Sequence, residues 1–153
     1  MSKQDVIDRM NTILSWELAG TIQYLHYSVL ITGPLRPVYQ DFFKDGSKEA
    51  RGHAEMVGEK IVALGGVPTA EPATILPAAD LDTMLRNTLS LEKAALAAWE
   101  AAWEIAEAAN LGTKLWMEEM IAEEQMHVDE VSKILGVTGA AAAASTNSSS
   151  HTA

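Results

Sequence analysis

The stretch Glu123-Glu124-Gln125-Met126-His127 sets Glu124 and His127 one helical turn apart on a face that is otherwise apolar. Around it Trp116, Met117, Met120 and Ile121, then Val131, Ile134 and Leu135, recur at a spacing of about 3.6 residues and form one hydrophobic stripe. A carboxylate left in such a stripe costs several kcal/mol unless it is paired or coordinated. Taken alone, Glu-x-x-His also fits a solvated helix face. The same interruption recurs on three other helical segments, and the recurrence decides between the two.

Outward from that stretch the chain reads as four long helices with almost nothing that argues for strand. The first opens at Ser2-Lys3-Gln4-Asp5, close to a capping box, and runs to about Ile31, where Thr32-Gly33-Pro34 stops it. The second follows Pro37 and ends at Leu64, before Gly65-Gly66 and Pro68. Val67 to Ala79 carries Pro68, Pro72 and Pro77 with no clear period, which predicts an extended connection. The third helix is expected from near Asp80 to about Ala109, with Asn110-Leu111-Gly112 as a tight turn into a fourth that ends at Gly136. Two short turns and one long middle connection make an all-α four-helix bundle of two antiparallel hairpins with a single crossover. The bundle is expected to occupy residues 1–138. The Ala- and Ser-rich remainder, 139–153, has no buryable face and is expected to be mobile.

Composition narrows the function classes. A chain of 153 residues with 48% apolar content suits one domain with a sizeable core. It has no run of apolar residues long enough for a transmembrane helix, and its first residues lack the order of a secretory signal, so a cytoplasmic location is the expectation. With no cysteine there is no disulfide framework, thiolate zinc site or rubredoxin-type iron centre within the chain. A net charge of −10 argues against nucleic acid as a partner and suits a protein that draws cations towards itself.

Each helix carries candidate ligands. The first has Glu17 within Met10, Ile13, Leu14, Thr21, Tyr24 and Leu25. The second has Glu49 and His53 among Phe42, Ala50, Val57, Ile61 and Leu64, and the third has Glu92 on the line of Leu96, Trp99 and Trp103. Four inward carboxylates and two imidazoles on facing helices are how bundles hold two iron or manganese ions. The four charges of Glu17, Glu49, Glu92 and Glu124 would be neutralised by two divalent cations. The competing explanation is a buried polar cluster that fixes helix register.

With those residues in place, the chain resembles the ferritin superfamily, and the bacterioferritin branch most closely. Trp16-Glu17-Leu18-Ala19-Gly20-Thr21-Ile22-Gln23-Tyr24 is similar to that family's first-helix motif, and Met84 to Glu92 to its third. Glu123 to His127 matches the fourth-helix Glu-x-x-His; His53-Ala54-Glu55 and Gly66-Val67-Pro68 resemble the second helix and its exit. The similarity covers about residues 2 to 136. It implies metal ligands at Glu17, His53, Glu92, Glu124 and His127, with Glu92 bridging the two metals and Tyr24 hydrogen-bonded beside them, to Glu92. Glu17, Glu92 and Glu124, assisted by Tyr24, are the expected catalytic groups.

The second helix departs from the family pattern. Where the family has Glu three residues before its His, this chain has Ala50, and its carboxylate is Glu49, four residues before His53. Steps of three and four both return to one helix face, at about −60° and about +40°. Glu49 is therefore expected to replace the missing ligand, aided by a π-bulge near Gly52. The alternative is a site one ligand short. The position matching the family's haem-binding methionine is Arg51, so no haem is expected, and Met56 is expected in the core. Trp16, Trp99, Trp103 and Trp116 are expected as core or dimer-face aromatics. His26 falls on a different face from Glu17, and His151 in the tail is expected to be idle.

The resemblance implies an iron-storage and detoxification protein with ferroxidase activity. Fe(II) would be oxidised by O2 or H2O2 at a di-iron site that manganese also fits, and Fe(III) would be kept in a dimer-based homo-oligomeric shell. The fifth short helix of twenty-four-subunit cages has no expected counterpart in the Ala/Ser tail, which leaves a shell of twenty-four open and makes a Dps-like shell of twelve or a mere dimer credible. Two other classes stay in play: a non-cage dimetal oxidase or peroxide scavenger, rubrerythrin-like, and a structural ferritin-like protein with a degenerate site.

Overall fold

The computed structural model describes residues 1–138 of the chain. It contains four long helices: α1 (Lys3–Leu30), α2 (Arg36–Ala63), α3 (Leu81–Trp103) and α4 (Leu111–Leu135). There is no strand among the described residues, and no helix among them is long and apolar enough to cross a membrane. The Ala- and Ser-rich segment with His151 lies outside the described residues.

Local chemistry sets the helix ends. Ser2 and Asp5 close a reciprocal capping box at α1, with Ser2 Oγ accepting from the Asp5 amide. Asp80 caps α3 through the Thr83 amide at 2.9 Å, and Asn110 caps α4 through the Thr113 amide at 2.8 Å. Gly136, at φ 68°, ends α4 in the left-handed conformation that favours glycine. The third helix stops earlier than its composition predicts. It ends at Trp103, and the chain tightens into a 3-10 turn at Ala106–Ala108. That turn frees Asn110 to take the extended backbone of an N-cap.

The connection from Gly65 to Asp80 has no regular structure and runs along α1. Thr69 donates its amide to Asn11 Oδ1, Ala73 donates to the Ser15 carbonyl, and Leu76 donates to Gln23 Oε1. Its backbone groups thus find partners despite lacking secondary structure. Helix α1 packs against both α2 and α3, and α3 against α4.

Two apolar clusters fill the bundle. One joins Val6, Met10, Ile13, Val57, Ile61, Trp99, Met117 and Met120; the other joins Ala19, Tyr27, Phe43, Met84 and Leu91. Between them lies a level at which Glu17, His53, Glu92 and Glu124 are all buried. Two residues expected inside are exposed, Leu25 and Met56. Each sits at the edge of its helix's inward arc, where a rotation of a few tens of degrees decides between core and solvent.

Candidate metal centre

Each helix delivers its ligand by the same logic: an apolar stripe faces the core, and one position in it is polar. Glu17 comes from α1, His53 from α2, Glu92 from α3, and Glu124 with His127 from α4. They converge as two groups, Glu17–His53–Glu124 and Glu92–Glu124–His127, whose donor atoms lie within 4.8 Å of one another in each. Glu124 is common to both. Glu92, the expected bridge, falls in one group, and the carboxylate found in both is the one from α4.

The histidines are held on both ring edges. His53 turns Nδ1 towards Glu17 Oε1 at 3.5 Å and Nε2 towards Glu123 Oε1 at 3.1 Å. His127 turns Nδ1 towards Glu92 Oε2 and Glu124 Oε2, at 3.8 and 3.7 Å, and Nε2 towards Glu49 Oε2 at 3.1 Å. The two rings are nearly parallel, 6.0 Å apart at 15°. Glu49 and His53 on α2 thus mirror Glu123 and His127 on α4, and each outer carboxylate reaches across to the opposite histidine.

Glu49 is consequently not where the sequence predicts it. Its side chain is 56% exposed and lies in neither ligand group. Helix α2 is regular α-helix through Gly52, with no π-bulge to swing Glu49 inward. The position that a turn before His53 brings into the core is Ala50, which is buried. Helix α2 therefore contributes His53 alone to the two groups. Tyr24 is buried and donates its hydroxyl to Glu92 Oε1, as expected; His26 is exposed.

A family model for the ferritin-like domain matches residues 7–140. The chain belongs to the ferritin-like family. A bacterial ferritin from Pseudomonas aeruginosa is 32% identical over 90 residues, a stretch that covers 58% of this chain and 58% of that protein. Among solved structures, a ferritin-like diiron-carboxylate protein from Bacillus anthracis superposes with a TM-score of 0.83 at 30% identity, covering 88% of this chain and 99% of that one. A dodecameric thioferritin, the bacterioferritin-related protein of Bacteroides fragilis, shares the fold with a TM-score of 0.79 at 23% identity, covering 88% and 86%.

In this ferritin-like chain the buried charges test whether a pair of cations fits. Glu124 is 1% exposed, and its Oε1 has no hydrogen-bond partner among the described residues. Burial, with Glu92 close by, raises its pKa to about 9. Glu17 is raised too, first by burial. Burial also pushes Glu92 up, but Glu124, His127 and Tyr24 outweigh it and bring that carboxyl down to about 2. Hydrogen bonding to Glu124 and Glu92 raises His127 to about 11, and Glu17 and Glu123 raise His53 to about 9 against the pull of burial. A buried carboxylate with one orphaned oxygen, in a residue common to two carboxylate–imidazole groups, fits the donor chemistry of divalent cations.

Two residues escaped the sequence reasoning. Glu123 repeats the four-residue spacing of Glu49 and His53, and that repetition was a usable signal. Gly46 had none: a Cβ there would stand 2.5 Å from the Tyr24 ring, so only glycine admits the phenol to its place beside Glu92. A groove of about 930 Å³ between α2 and α4 opens onto His53 and Glu123, with Met56 and Trp116 in its wall. A smaller one of about 220 Å³ reaches His127 past Tyr24 and Glu49.

Proposed function

We propose that the chain binds two ferrous ions as substrate between its four helices, oxidises them with dioxygen or peroxide, and keeps the ferric product within a homo-oligomeric shell. The observation that carries this is Glu124, a buried carboxylate with one oxygen unpartnered, shared by the two ligand groups. The ions supply the electrons, and the chain supplies charge and position. Glu17 and Glu92 each complete one group. Glu123 and Glu49 accept the Nε2–H of His53 and His127, which fixes the tautomer that leaves Nδ1 free to ligate. Tyr24 holds Glu92 in orientation through its hydroxyl. Glu124 gives up its proton as cations arrive, so uptake releases protons.

The test is an anaerobic ferrous titration followed by mixing with oxidant, then size-exclusion chromatography with iron analysis. Two ions per chain, oxidation faster than in protein-free buffer, and iron eluting with a large assembly are expected. No ferrous binding, or oxidation at the buffer rate, sinks the proposal. A second function is favoured by the groove beside His53, which is wider than dioxygen needs. In that case the chain is a small-oligomer dimetal oxidase or peroxide scavenger, and fast oxidation without a cage is its signature.

A further inference from the structure

Met56 is expected in the core, yet its side chain is 42% exposed and forms part of the groove between α2 and α4 that opens onto His53. It stands three residues after His53 and four before Lys60, which puts the three side chains on one face of α2. Across the groove Lys60 Nζ lies 5.3 Å from the ring centroid of Trp116. Ala63 extends the apolar wall, while Glu55, Glu59 and Glu123 make the rest of the lining acidic.

This lining suits one oxidant and one kind of acceptor. Hydrogen peroxide is uncharged at neutral pH, so the carboxylates do not keep it out. A thiol would have to ionise before attacking it, which an acidic groove opposes. A thioether attacks without losing a proton. The chain has no cysteine, so its acceptors for an oxygen atom on sulfur are its methionines.

We propose that Met56 is a modification site, oxidised to the sulfoxide by hydrogen peroxide that forms at the centre and leaves through this groove. The proposal rests on the ferrous-oxidising function above, with dioxygen as oxidant. Two ferrous ions give one electron each to dioxygen, which takes up two protons and becomes hydrogen peroxide. The Met56 sulfur gives an electron pair to one peroxide oxygen, the O–O bond breaks, and the other oxygen leaves as water with both hydrogens. Each such event removes one peroxide before it reaches solution. The sulfoxide is polar and open to enzymatic reduction back to methionine, and its oxygen is an acceptor within one helical turn of the Lys60 ammonium.

Ordinary surface oxidation of an exposed methionine is the competing explanation, and Met126 separates the two. It is 68% exposed and stands outside the groove lining. In the metal-free chain given hydrogen peroxide alone, exposure sets the order, and Met126 is expected to gain oxygen ahead of Met56. The full chain is then loaded anaerobically with two ferrous ions, mixed with dioxygen in the presence of catalase, and digested for peptide mass spectrometry. Catalase destroys peroxide in solution, so Met56 sulfoxide is expected with Met126 and Trp116 unmodified. Met56→Leu, examined without catalase, should release more peroxide per ferrous pair than the parent. The mass-spectrometric order in the unaltered chain stands even if Met56→Leu fails to fold. Ferrous oxidation that leaves Met56 unmodified, or no further oxidised than Met126, overturns the proposal and leaves the proposed function intact. Met56 leading in the metal-free chain as well overturns its link to the centre, and equal oxidation of Trp116 overturns oxygen transfer in favour of a diffusing radical. Absent ferrous oxidation overturns both readings.

Discussion

Nε2 of His127 lies 3.1 Å from Oε2 of Glu49, on the ring edge opposite the one that faces Glu92 and Glu124. The carboxylate that the second helix offers therefore acts on a histidine of the fourth helix, while its own helix's His53 is served by Glu123. Partners of this kind set ring orientation and typically account for about 10- to 100-fold in metal affinity. Glu49→Ala is expected to weaken manganese or anaerobic ferrous binding by about that factor, with Glu49→Gln milder because its amide oxygen still accepts the Nε2–H. Glu124→Ala should abolish two-ion binding. Calorimetric titration separates the cases. A Glu49→Ala loss as complete as that of Glu124→Ala would make Glu49 a ligand after all.

Metal-free stability should fall as pH rises. His53 and His127 have folded pKa values of about 9 and about 11 against an ordinary 6.5, so their stabilisation is complete below about pH 6.5 and lost as pH passes through the folded values. Glu124, raised from 4.5 to about 9, loses its proton over the same rise and leaves a buried charge. Each proton held by the folded chain alone contributes about 1.4 kcal/mol per pH unit. The melting temperature of the metal-free protein should therefore drop between pH 7 and 9. Saturating manganese should raise it and flatten the drop, because cations replace the protons. A metal-free melting temperature that holds level or climbs over that range contradicts the assignment.

Gly46 governs Tyr24. A methyl group at this position would overlap the phenol ring at 2.5 Å, and the ring also packs against Phe43. Gly46→Ala is expected to cost about 1–3 kcal/mol through overpacking and to displace the hydroxyl from Glu92. Denaturant unfolding reads the first effect. An ultraviolet pH titration reads the second, since Tyr24 ionises well above the ordinary range while buried against Glu92. Unchanged unfolding and an unchanged Tyr24 titration in Gly46→Ala would refute both.

The bundle and most of its site are legible in the sequence because Glu17, Glu92 and Glu124 each interrupt an apolar stripe, and burial of a carboxylate demands a reason. Glu49 stands outward for a physical cause: steps of three and four residues from His53 point within about 100° of one another. Which of them faces inward depends on how α2 is turned against α1, where Ala50 meets Gly20. The pairing of outer carboxylates with opposite histidines is written in no single helix. It appears only when α2 and α4 run side by side. The early end of α3 was equally hidden, since Glu104 to Ala109 is rich in helix formers and the capping geometry of Asn110 is what wins.

Ala50 is the position where this chain most plainly lacks a carboxylate, and restoring one has opposite effects with and without metal. Ala50 is buried one turn before His53, as Glu124 is one turn before His127. Gly20 lies close against it: a Cβ added there would stand only 3.3 Å from the Ala50 Cβ. Ala50→Glu therefore adds another inward carboxylate to a cluster that already holds Glu17, Glu92 and Glu124. Without cations the extra buried acid costs several kcal/mol or takes up a proton, so the melting temperature of the metal-free variant should fall. With cations a second shared carboxylate should make the two ions bind more tightly and more nearly together, and should raise the rate of ferrous oxidation. Thermal melts with and without manganese, beside stopped-flow oxidation, measure both sides. A variant as stable as the parent without metal, and no better with it, would mean that position 50 does not face the site.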